Sequence, residues 1–390
     1  MRPTTFVGFV RAPRILLLHN RYRFSGGEER SVELQRDALS RANVAHTLLE
    51  HRSEGVARSR AAAAVLSGGS VASGVATGVR EFGADIVHAH NIQPLIGPRG
   101  LAAARRAGAR VVLHLHNARL FCAIGVASRD GGPCFRCRGR RTLPGLVLNC
   151  RGSVPEAVVY AAGLALHQPT VWEVVDRFVA PSRHAARQLA MLGVPGDRLE
   201  VLPHYVPEHA FVDESRADHG RYALVVARLA PEKGIDTAIE AAAVARVPVR
   251  VAGDGPAARE LAALVHRVGA PVELLGRVGR EELADLLLGA AMVFLPSRAH
   301  EFAPYAALEA MAAGVPVIAT RLGGLPELIG EERCIAPNDV AALAARMRSL
   351  WEEPELRRVH GDALLALARE HHAEQRYTQK LLRLYDRVRS

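Results

Sequence analysis

The chain has 390 residues, of which 49% are hydrophobic and 23% are charged. This composition excludes a disordered, collagen-like or coiled-coil chain, and the length is enough for two or three domains. The longest strongly apolar run, residues 157–166, is about half as long as a bilayer-spanning helix needs. We therefore expect no segment to span a membrane.

The formal net charge of +10 is distributed unevenly. Up to Tyr205 the chain has 27 basic and 14 acidic residues, a net charge of +13, whereas the remainder has 23 basic and 26 acidic residues, a net charge of −3. This asymmetry predicts an anionic partner or surface for the first half, unless it reflects general arginine enrichment. Only Lys233 and Lys380 are lysines among the 50 basic residues, so a lysine within a motif is informative.

Short β-rich runs alternate with helical patterns along the chain. The first set predicts strands at 15–18, 86–88, 111–115 and 177–180, with helices at 31–42, 97–107 and 182–192. After residues 199–202 and a proline-bearing linker, the second set predicts strands at 223–226, 249–252, 272–274, 292–295, 315–319 and 333–335, and helices at 234–245, 257–268, 280–288 and 306–312. A helical tail broken at Pro354 follows.

This alternation is typical of parallel strands joined by crossover helices. It predicts two tandem doubly wound α/β domains, residues 1–206 and 207–370, with a ligand cleft between the carboxyl ends of their sheets and a terminal helix at 371–390 that packs back on the first domain. The Gly- and Ser-rich stretch 66–78 predicts a loop or a poor helix. Residues 1–14 have no apolar stretch of the signal-peptide type, which favours a cytoplasmic location.

Residues 297–329 contain two glutamates eight positions apart. Glu301 follows a predicted strand, and Glu309 lies in the helix that follows Pro304. Both can face the carboxyl edge of the sheet, and the N–H groups at that helix N-terminus favour an anion. For either glutamate alone, a solvated surface position is the alternative.

A second constellation, at residues 225–234, places Arg228 and Lys233 around a short loop after a strand. An arginine fork and an ammonium point charge at a strand end suit a diphosphate. Two solvated surface cations are the alternative. The scarcity of lysine favours a specific role for Lys233.

Together these motifs resemble the retaining glycosyltransferases of family 4, which have the GT-B architecture. The resemblance rests on Glu301 and Glu309 with the continuation EAMAAGVPVIAT, on the run RLAPEKG that contains Arg228 and Lys233, on AGDGP at residues 252–256, and on an N-terminal Gly-Gly loop. These motifs occur in the family's order over nearly the whole chain. The resemblance implies a GT-B fold of two Rossmann-like α/β domains.

The resemblance also implies roles for individual residues. Arg228 and Lys233 would hold the donor diphosphate and Glu309 the ribose hydroxyls, while Glu301 and His116, the latter in the motif HLHN, would face the transferred sugar as catalytic residues. The remaining donor-binding residues implied are Gly26, Gly27, Phe302, Ala303, Pro304 and Tyr305. The chain departs from the family pattern at Ala227, Phe302, Ala303 and His204. These departures remove no charged group but predict an altered sugar pocket.

Four of the five cysteines, Cys122, Cys134, Cys137 and Cys150, lie in a loop predicted at residues 118–152. A Gly-Gly-Pro turn precedes the CxxC pair and can aim two sulfurs at one point. In a chain without a secretory signal this set favours a structural zinc site over disulfides or free thiols, which remain the alternatives.

Arginines crowd the same loop: Arg119, Arg129, Arg136, Arg138, Arg140, Arg141 and Arg151. The loop could contact a lipid diphosphate, an anionic phospholipid surface or nucleic acid. The apolar run 157–166 supports a membrane-facing patch, with a buried helix as the alternative. Nucleic acid is not expected, because the loop has few aromatic residues and no recognisable reader module.

The sequence therefore predicts a retaining hexosyltransferase that uses a nucleotide sugar, UDP- or GDP-linked, and a saccharide or lipid-linked saccharide acceptor, in the synthesis of a cell-surface polysaccharide or glycolipid. Arg228, Lys233 and a helix N-terminus would stabilise the leaving diphosphate, so no cofactor is expected for this step. The expected location is the cytoplasm or the inner face of the membrane. The rival interpretations are a non-catalytic nucleotide-sugar or polyanion-binding protein, and an epimerase or phosphorylase on the same fold.

Overall fold

Fourteen strands are assigned within residues 12–21 and 26–390, the part of the chain that our computed structural model describes. The strands are β1 (Ile15–Arg21), β2 (His46–Arg52), β3 (Ile86–Ala89), β4 (Arg110–His114), β5 (Ser128–Arg129), β6 (Gly132–Pro133), β7 (Arg177–Ala180), β8 (Leu199–Val201), β9 (Tyr222–Val226), β10 (Val249–Ala252), β11 (Val272–Gly276), β12 (Ala290–Leu295), β13 (Val317–Thr320) and β14 (Cys334–Ile335). Most of the residues behind the signal-peptide expectation, 1–11, lie outside the described ones.

The helices follow in the same chain order. They are α1 (Gly27–Arg41), α2 (Arg58–Ser67), α3 (Ala72–Phe82), α4 (Gly97–Arg106), α5 (Leu143–Val147), α6 (Val154–Val174), α7 (Arg183–Leu192), α8 (Ile235–Ala245), α9 (Ala258–Val268), α10 (Arg280–Leu288), α11 (Tyr305–Ala312), α12 (Leu325–Ile329), α13 (Val340–Glu352), α14 (Pro354–His371) and α15 (Glu374–Arg389).

The chain divides into two units, each discontinuous in sequence. The first unit comprises Met1–His114, Pro169–Arg177 and Leu382–Ser390, and the second comprises Leu115–Gln168 and Phe178–Leu381.

Two six-stranded sheets organise the fold, and the pairings recorded within them are parallel. Their strand orders are β2-β1-β3-β4-β7-β8 and β11-β10-β9-β12-β13-β14, and β5 and β6 form a separate antiparallel hairpin. In the first sheet Ile15 lies opposite both His46 and Ile86. Residues 15–18 of β1 are fully buried, as expected for a central strand that helices cover on both faces.

In each sheet, the direction in which the chain adds successive strands reverses at one point. In the first sheet the chain passes from β1 outward to β2 and then returns to β3 on the other side of β1. In the second sheet it passes from β9 outward through β10 to β11 and then returns to β12 on the other side of β9. Ligands of open α/β sheets bind beside such switch points, at the carboxyl ends of the strands.

The predicted alternation of strands and helices is confirmed, and residues 66–78, for which the sequence predicts a loop or a poor helix, contain a short connection and the first part of a helix. Helix α2 ends at Ser67 and α3 begins at Ala72, with Gly68 between them in a left-handed conformation. Within α3 a side chain at Gly78 would contact Leu16 and Leu49 at 3.4–3.5 Å. Position 78 thus lies on the face of α3 that packs against β1 and β2, at a distance that would also accommodate a Cβ atom.

Among the residues that the structure describes, no single helix is long and apolar enough to cross a membrane. By length and composition only, α2 and α3 together meet the requirement, as a pair bent by 72°.

In the second unit, the buried side chain of Arg357 in α14 joins three backbone segments. Its guanidinium donates to the carbonyls of Ala217 and Asp218 at 2.8 and 2.6 Å, and to those of Leu350 and Trp351 at 2.9 and 2.8 Å. A planar donor with several N–H groups can satisfy these carbonyls together, which a lysine or an aliphatic side chain cannot do.

We expect Arg357→Met to lower the free energy of unfolding by about 2–4 kcal/mol, because it leaves buried carbonyls without donors. Chemical denaturation monitored by circular dichroism measures the change. The control is Arg358→Met at the neighbouring, half-exposed arginine, whose solvent-screened ion pairs with Glu355 and Asp362 should contribute much less than the buried contacts of Arg357. Equal losses in the two variants would contradict the role assigned to Arg357.

Candidate active site

The switch point of the second sheet brings together two predicted site residues of opposite charge. Lys233 follows β9 and Glu301 follows the neighbouring strand β12. Lys233 Nζ lies 2.6 Å from Glu301 Oε1, and the Ser297 hydroxyl donates to the same oxygen at 2.5 Å. The two side chains are 26% and 16% exposed, so the pair is partly accessible to a ligand.

This environment controls the ionisation of Glu301. Burial by itself raises the pKa of the carboxyl, but the charge and hydrogen bond of Lys233, the Ser297 hydrogen bond and the charge of Arg228 outweigh it. The pKa of Glu301 therefore lies below its ordinary value, and the side chain is a carboxylate at neutral pH. An ionised Glu301 can accept hydrogen bonds but cannot act as a general acid.

A glycine turn fixes the backbone of Glu301. The N–H of Gly324 donates to the carbonyl of Glu301 at 2.6 Å. Gly323 has φ +66°, and a Cβ at this position would lie 2.3 Å from the same carbonyl oxygen. Because a larger residue would collide with this backbone, the Gly323–Gly324 turn holds the loop before α11 in place.

Arg228 is held by the loop at residues 252–256. The N–H of Leu229 donates to the carbonyl of Asp254 at 3.0 Å, and a Cβ at Gly253 would lie 1.9 Å from the carbonyl oxygen of Ala227. The Arg228 guanidinium forms an ion pair with Glu232 and is 48% exposed. An anionic ligand can therefore reach it.

His116 takes part in a stack of three rings in the second unit. The His116 and His204 ring centroids are 5.6 Å apart, and those of His204 and Tyr305 are 4.4 Å apart. His204 Nδ1 lies 3.0 Å from the carbonyl oxygen of Ala303, which identifies Nδ1 as the donor. His204, noted in the sequence only as a departure from the family pattern, thus links His116 to the residues at the start of α11.

Burial lowers the pKa of His204 to about 4. The hydrogen bond to Ala303 favours the charged form but is outweighed by burial, and the positive charge of His372 lowers the pKa further. The ring is therefore neutral at physiological pH. Ala303 and Tyr305 pack against an uncharged surface.

The other predicted site residues lie as follows. The buried Phe302 accepts a 2.6 Å hydrogen bond from Ser182 through its carbonyl, Pro304 precedes the first residue of α11, and Glu309 is half-buried within that helix. In the first unit, Gly26 caps α1, which begins at Gly27. The four loop cysteines line one pocket of the second unit and form no disulfide.

The sequence reasoning missed three histidines of the first unit, His88, His90 and His114, at or just beyond the ends of β3 and β4. All three are buried, and their ring centroids lie 5.0–5.6 Å apart. His88 Nδ1 is 2.9 Å from both Gln35 Nε2 and the Tyr385 hydroxyl, and burial lowers its pKa to about 3. The repeated motif HxHN, at residues 88–91 and 114–117, was the available signal.

Two family models cover almost all of the chain. Residues 14–204 match the glycosyl transferase 4-like domain, and residues 208–363 match the glycosyl transferases group 1 model. The chain belongs to this family of glycosyltransferases, as the motifs predict.

Several curated relatives are similar to parts of the chain. A D-inositol 3-phosphate glycosyltransferase of Streptomyces coelicolor is 29% identical over 72% of this chain and 64% of its own length. An MMP alpha-(1->4)-mannosyltransferase of Mycolicibacterium hassiacum is 29% identical over 48% of each chain, and an exopolysaccharide phosphotransferase of S. coelicolor is 35% identical over 44% of this chain and 19% of its own. The chain thus spans between a fifth and two thirds of the length of these relatives.

Solved structures share the fold over nearly the whole chain. Sucrose-phosphate synthase of Thermosynechococcus elongatus has a TM-score of 0.73 at 16% identity, covering 96% of this chain and 99% of its own. Anabaena HepE in complex with UDP-glucose has a TM-score of 0.68 at 17% identity, with the same coverage. Together with the two parallel α/β sheets, these likenesses confirm the predicted GT-B fold class.

Acidification is expected to destabilise the protein between pH 6.5 and about 4. In this range unfolded histidines bind protons while the neutral His88 and His204 do not, so stability is complete above pH 6.5 and falls as the pH falls. Each such histidine contributes at most about 1.4 kcal/mol per pH unit.

His204→Asn retains a donor toward Ala303 and removes the titrating ring. Urea unfolding at a series of pH values should give a slope of stability against pH that is smaller by up to about 1.4 kcal/mol per unit. The exposed His209→Asn is the control and should keep the wild-type slope. An unchanged slope in His204→Asn would contradict the assignment.

Proposed function

We propose that the protein is a retaining glycosyltransferase that moves a hexosyl group from a nucleotide sugar to a hydroxyl group of a saccharide or lipid-linked saccharide. The observation that carries this proposal is the pair of Lys233 and Glu301 at the switch point of the second sheet, beside the start of α11. This arrangement offers a cation for a diphosphate and a carboxylate for sugar hydroxyls within one hydrogen bond of each other.

In the proposed reaction, the bond between the sugar C1 and the diphosphate oxygen breaks while the acceptor oxygen bonds to C1 on the same face. Negative charge then accumulates on the diphosphate, where Lys233, Arg228 and the N–H groups at the start of α11 stabilise it. The acceptor proton passes to the leaving phosphate oxygen. The Glu301 carboxylate orients the sugar by accepting its hydroxyl hydrogens, and Glu309 would bind the ribose hydroxyls.

The comparisons support a nucleotide-sugar donor without defining it. Anabaena HepE has been solved with UDP, with UDP and glucose, and with UDP-glucose, and it has the same fold as this chain. The relatives include a mannosyltransferase and a glycosyltransferase that acts on D-inositol 3-phosphate. We propose a UDP- or GDP-hexose as the donor, and synthesis of a cell-surface polysaccharide or glycolipid as the role.

Lys233→Ala should weaken nucleotide-sugar binding about 10- to 100-fold and lower kcat, because it removes a charge-assisted contact of about 1.5–3 kcal/mol to the diphosphate. Isothermal titration with UDP- and GDP-hexoses, together with initial rates, measures both effects. The matched control is Lys380→Ala, which removes the only other lysine of the chain, an exposed residue of α15.

Product analysis separates the rival functions. Transfer to a saccharide or lipid-linked acceptor with retained anomeric configuration supports the proposal. Tight nucleotide-sugar binding without transfer or hydrolysis would indicate a binding protein, and interconversion of the sugar without an acceptor would indicate an epimerase. Unchanged binding and turnover in Lys233→Ala would remove this lysine from the site.

We further propose that the region around α5 and the start of α6 contacts an anionic phospholipid surface at the inner face of the membrane, where a lipid-linked acceptor would lie. Leu143 and Val147 of α5 are 61% and 72% exposed, and Val154 and Val158 of α6 are also exposed. The exposed Arg138 and Arg141 precede them and supply the complementary charge.

Replacing Leu143 and Val147 together by Ser should reduce sedimentation with phosphatidylglycerol-containing vesicles by about tenfold, because two exposed apolar side chains no longer enter the interface. Leu288→Ser removes an equally exposed leucine of α10 and should have no effect. Raising the salt concentration should also weaken binding. Equal binding to vesicles of neutral phosphatidylcholine, or no effect of the double substitution, would contradict this contact.

A further inference from the structure

Four cysteines line one pocket of the second unit, although they are spread over 29 residues of the sequence. Cys122 closes a turn by donating its N–H to the Ala118 carbonyl at 2.8 Å, and the N–H of Cys150 donates to the Gly145 carbonyl at 3.0 Å. Cys134 and Cys137 follow the hairpin of β5 and β6, where the Cys134 N–H donates to the Ala127 carbonyl at 2.7 Å. The four thiols line the same pocket.

Apart from the four thiols, the pocket is lined mainly by apolar residues, among them Phe121, Leu148 and Leu192. One charged side chain lies beside the sulfurs. Arg129 Nη1 lies 3.8 Å from Cys150 Sγ and adds a compensating positive charge outside the sulfurs.

The segment also needs a cross-link of some kind. Between residues 118 and 152 the buried hydrophobic side chains are mostly small: Ala118, Phe121, Ala123 and Ala127. A loop of this size with so small a core gains most of its order from disulfides or a metal. All four cysteines are free thiols, which leaves them available as ligands.

We propose that Cys122, Cys134, Cys137 and Cys150 bind one Zn²⁺ as a closed, four-thiolate structural site. Binding releases the thiol protons, and Zn–S distances of about 2.3 Å are required. Within the described residues, no three of these sulfurs lie all within 4.8 Å of one another, so the proposal requires the loop to contract around the ion. The four thiolates complete the coordination shell, so the metal carries no catalytic water.

The site would also lie beside the loop that bears Glu301. Phe135, between the two cysteines of the CxxC pair, places its ring 4.9 Å from that of His300, which directly precedes Glu301. His300 in turn forms a 3.1 Å hydrogen bond with His184. A zinc ion that fixes the CxxC turn therefore also fixes one neighbour of the loop that bears Glu301.

Metal content is the first test. Wild-type protein purified without chelators should contain about one zinc per chain by plasma mass spectrometry, and the double variant Cys134→Ser/Cys137→Ser should lose it. The matched control is Cys334→Ser, since Cys334 is buried in β14 away from the pocket, with its Sγ 3.4 Å from the Gly330 carbonyl oxygen. This variant should keep the full metal content.

A second measurement covers the case in which the double variant fails to fold. Wild-type full-length protein is stripped with chelator and reductant and then titrated with Co²⁺, which should give the visible spectrum of a tetrahedral thiolate site at one equivalent, displaced by Zn²⁺. Trypsin should cleave the stripped protein faster at Arg136, Arg138, Arg140 and Arg141. Zn²⁺ should restore protection, whereas Mg²⁺ should not.

These readouts do not depend on glycosyl transfer, so the zinc site and the proposed function can fail independently. Wild-type protein without zinc whose intact mass shows two disulfides would overturn the site. So would free reactivity of the four pocket thiols in the folded protein together with no Co²⁺ spectrum. Equal zinc contents in wild type and the double variant would place the metal elsewhere.

Discussion

The contact between Lys233 and Glu301 depends on a single topological constraint. From β9 the chain continues to β10 on one side and later returns to β12 on the other side, so β9 and β12 are neighbours in the sheet. The loops that follow these two strands therefore lie side by side at the carboxyl edge of the sheet. The N–H of Arg298 donates to the Glu232 carbonyl at 2.8 Å and joins the two loops directly. Both side chains are partly removed from water, which distinguishes this pair from an ordinary surface ion pair.

The residues around this pair are rigid for different reasons. Behind Glu301, the close approach of Gly323 to backbone leaves no room for a side chain. Beside the start of α11, His204 is held between two rings and a carbonyl, and burial keeps it neutral. The uncharged ring therefore adds no positive charge beside the start of α11.

Much of the fold was predictable because buried parallel strands have short, continuous apolar sequences, whereas the crossover helices have apolar residues every three or four positions. The strands from β9 to β14 lie close to their predicted positions for this reason. The exceptions have local causes. Strand β2 contains charged residues and is only half-buried at the edge of its sheet, and α3 contains Gly74 and Gly78, which disfavour a helix. The composition of each segment therefore argues against the element that it forms.

The sequence by itself determined the family and predicted the charged residues of the candidate site, because Arg228, Lys233, Glu301 and Glu309 occur in the motifs that carry the resemblance. Only the tertiary structure decided which of them meet. Lys233 and Glu301 are 68 residues apart yet share a hydrogen bond, His204 connects His116 to Tyr305, and Phe135 reaches His300. Such contacts depend on strand order and backbone approach, and neither is encoded in the local pattern of residues.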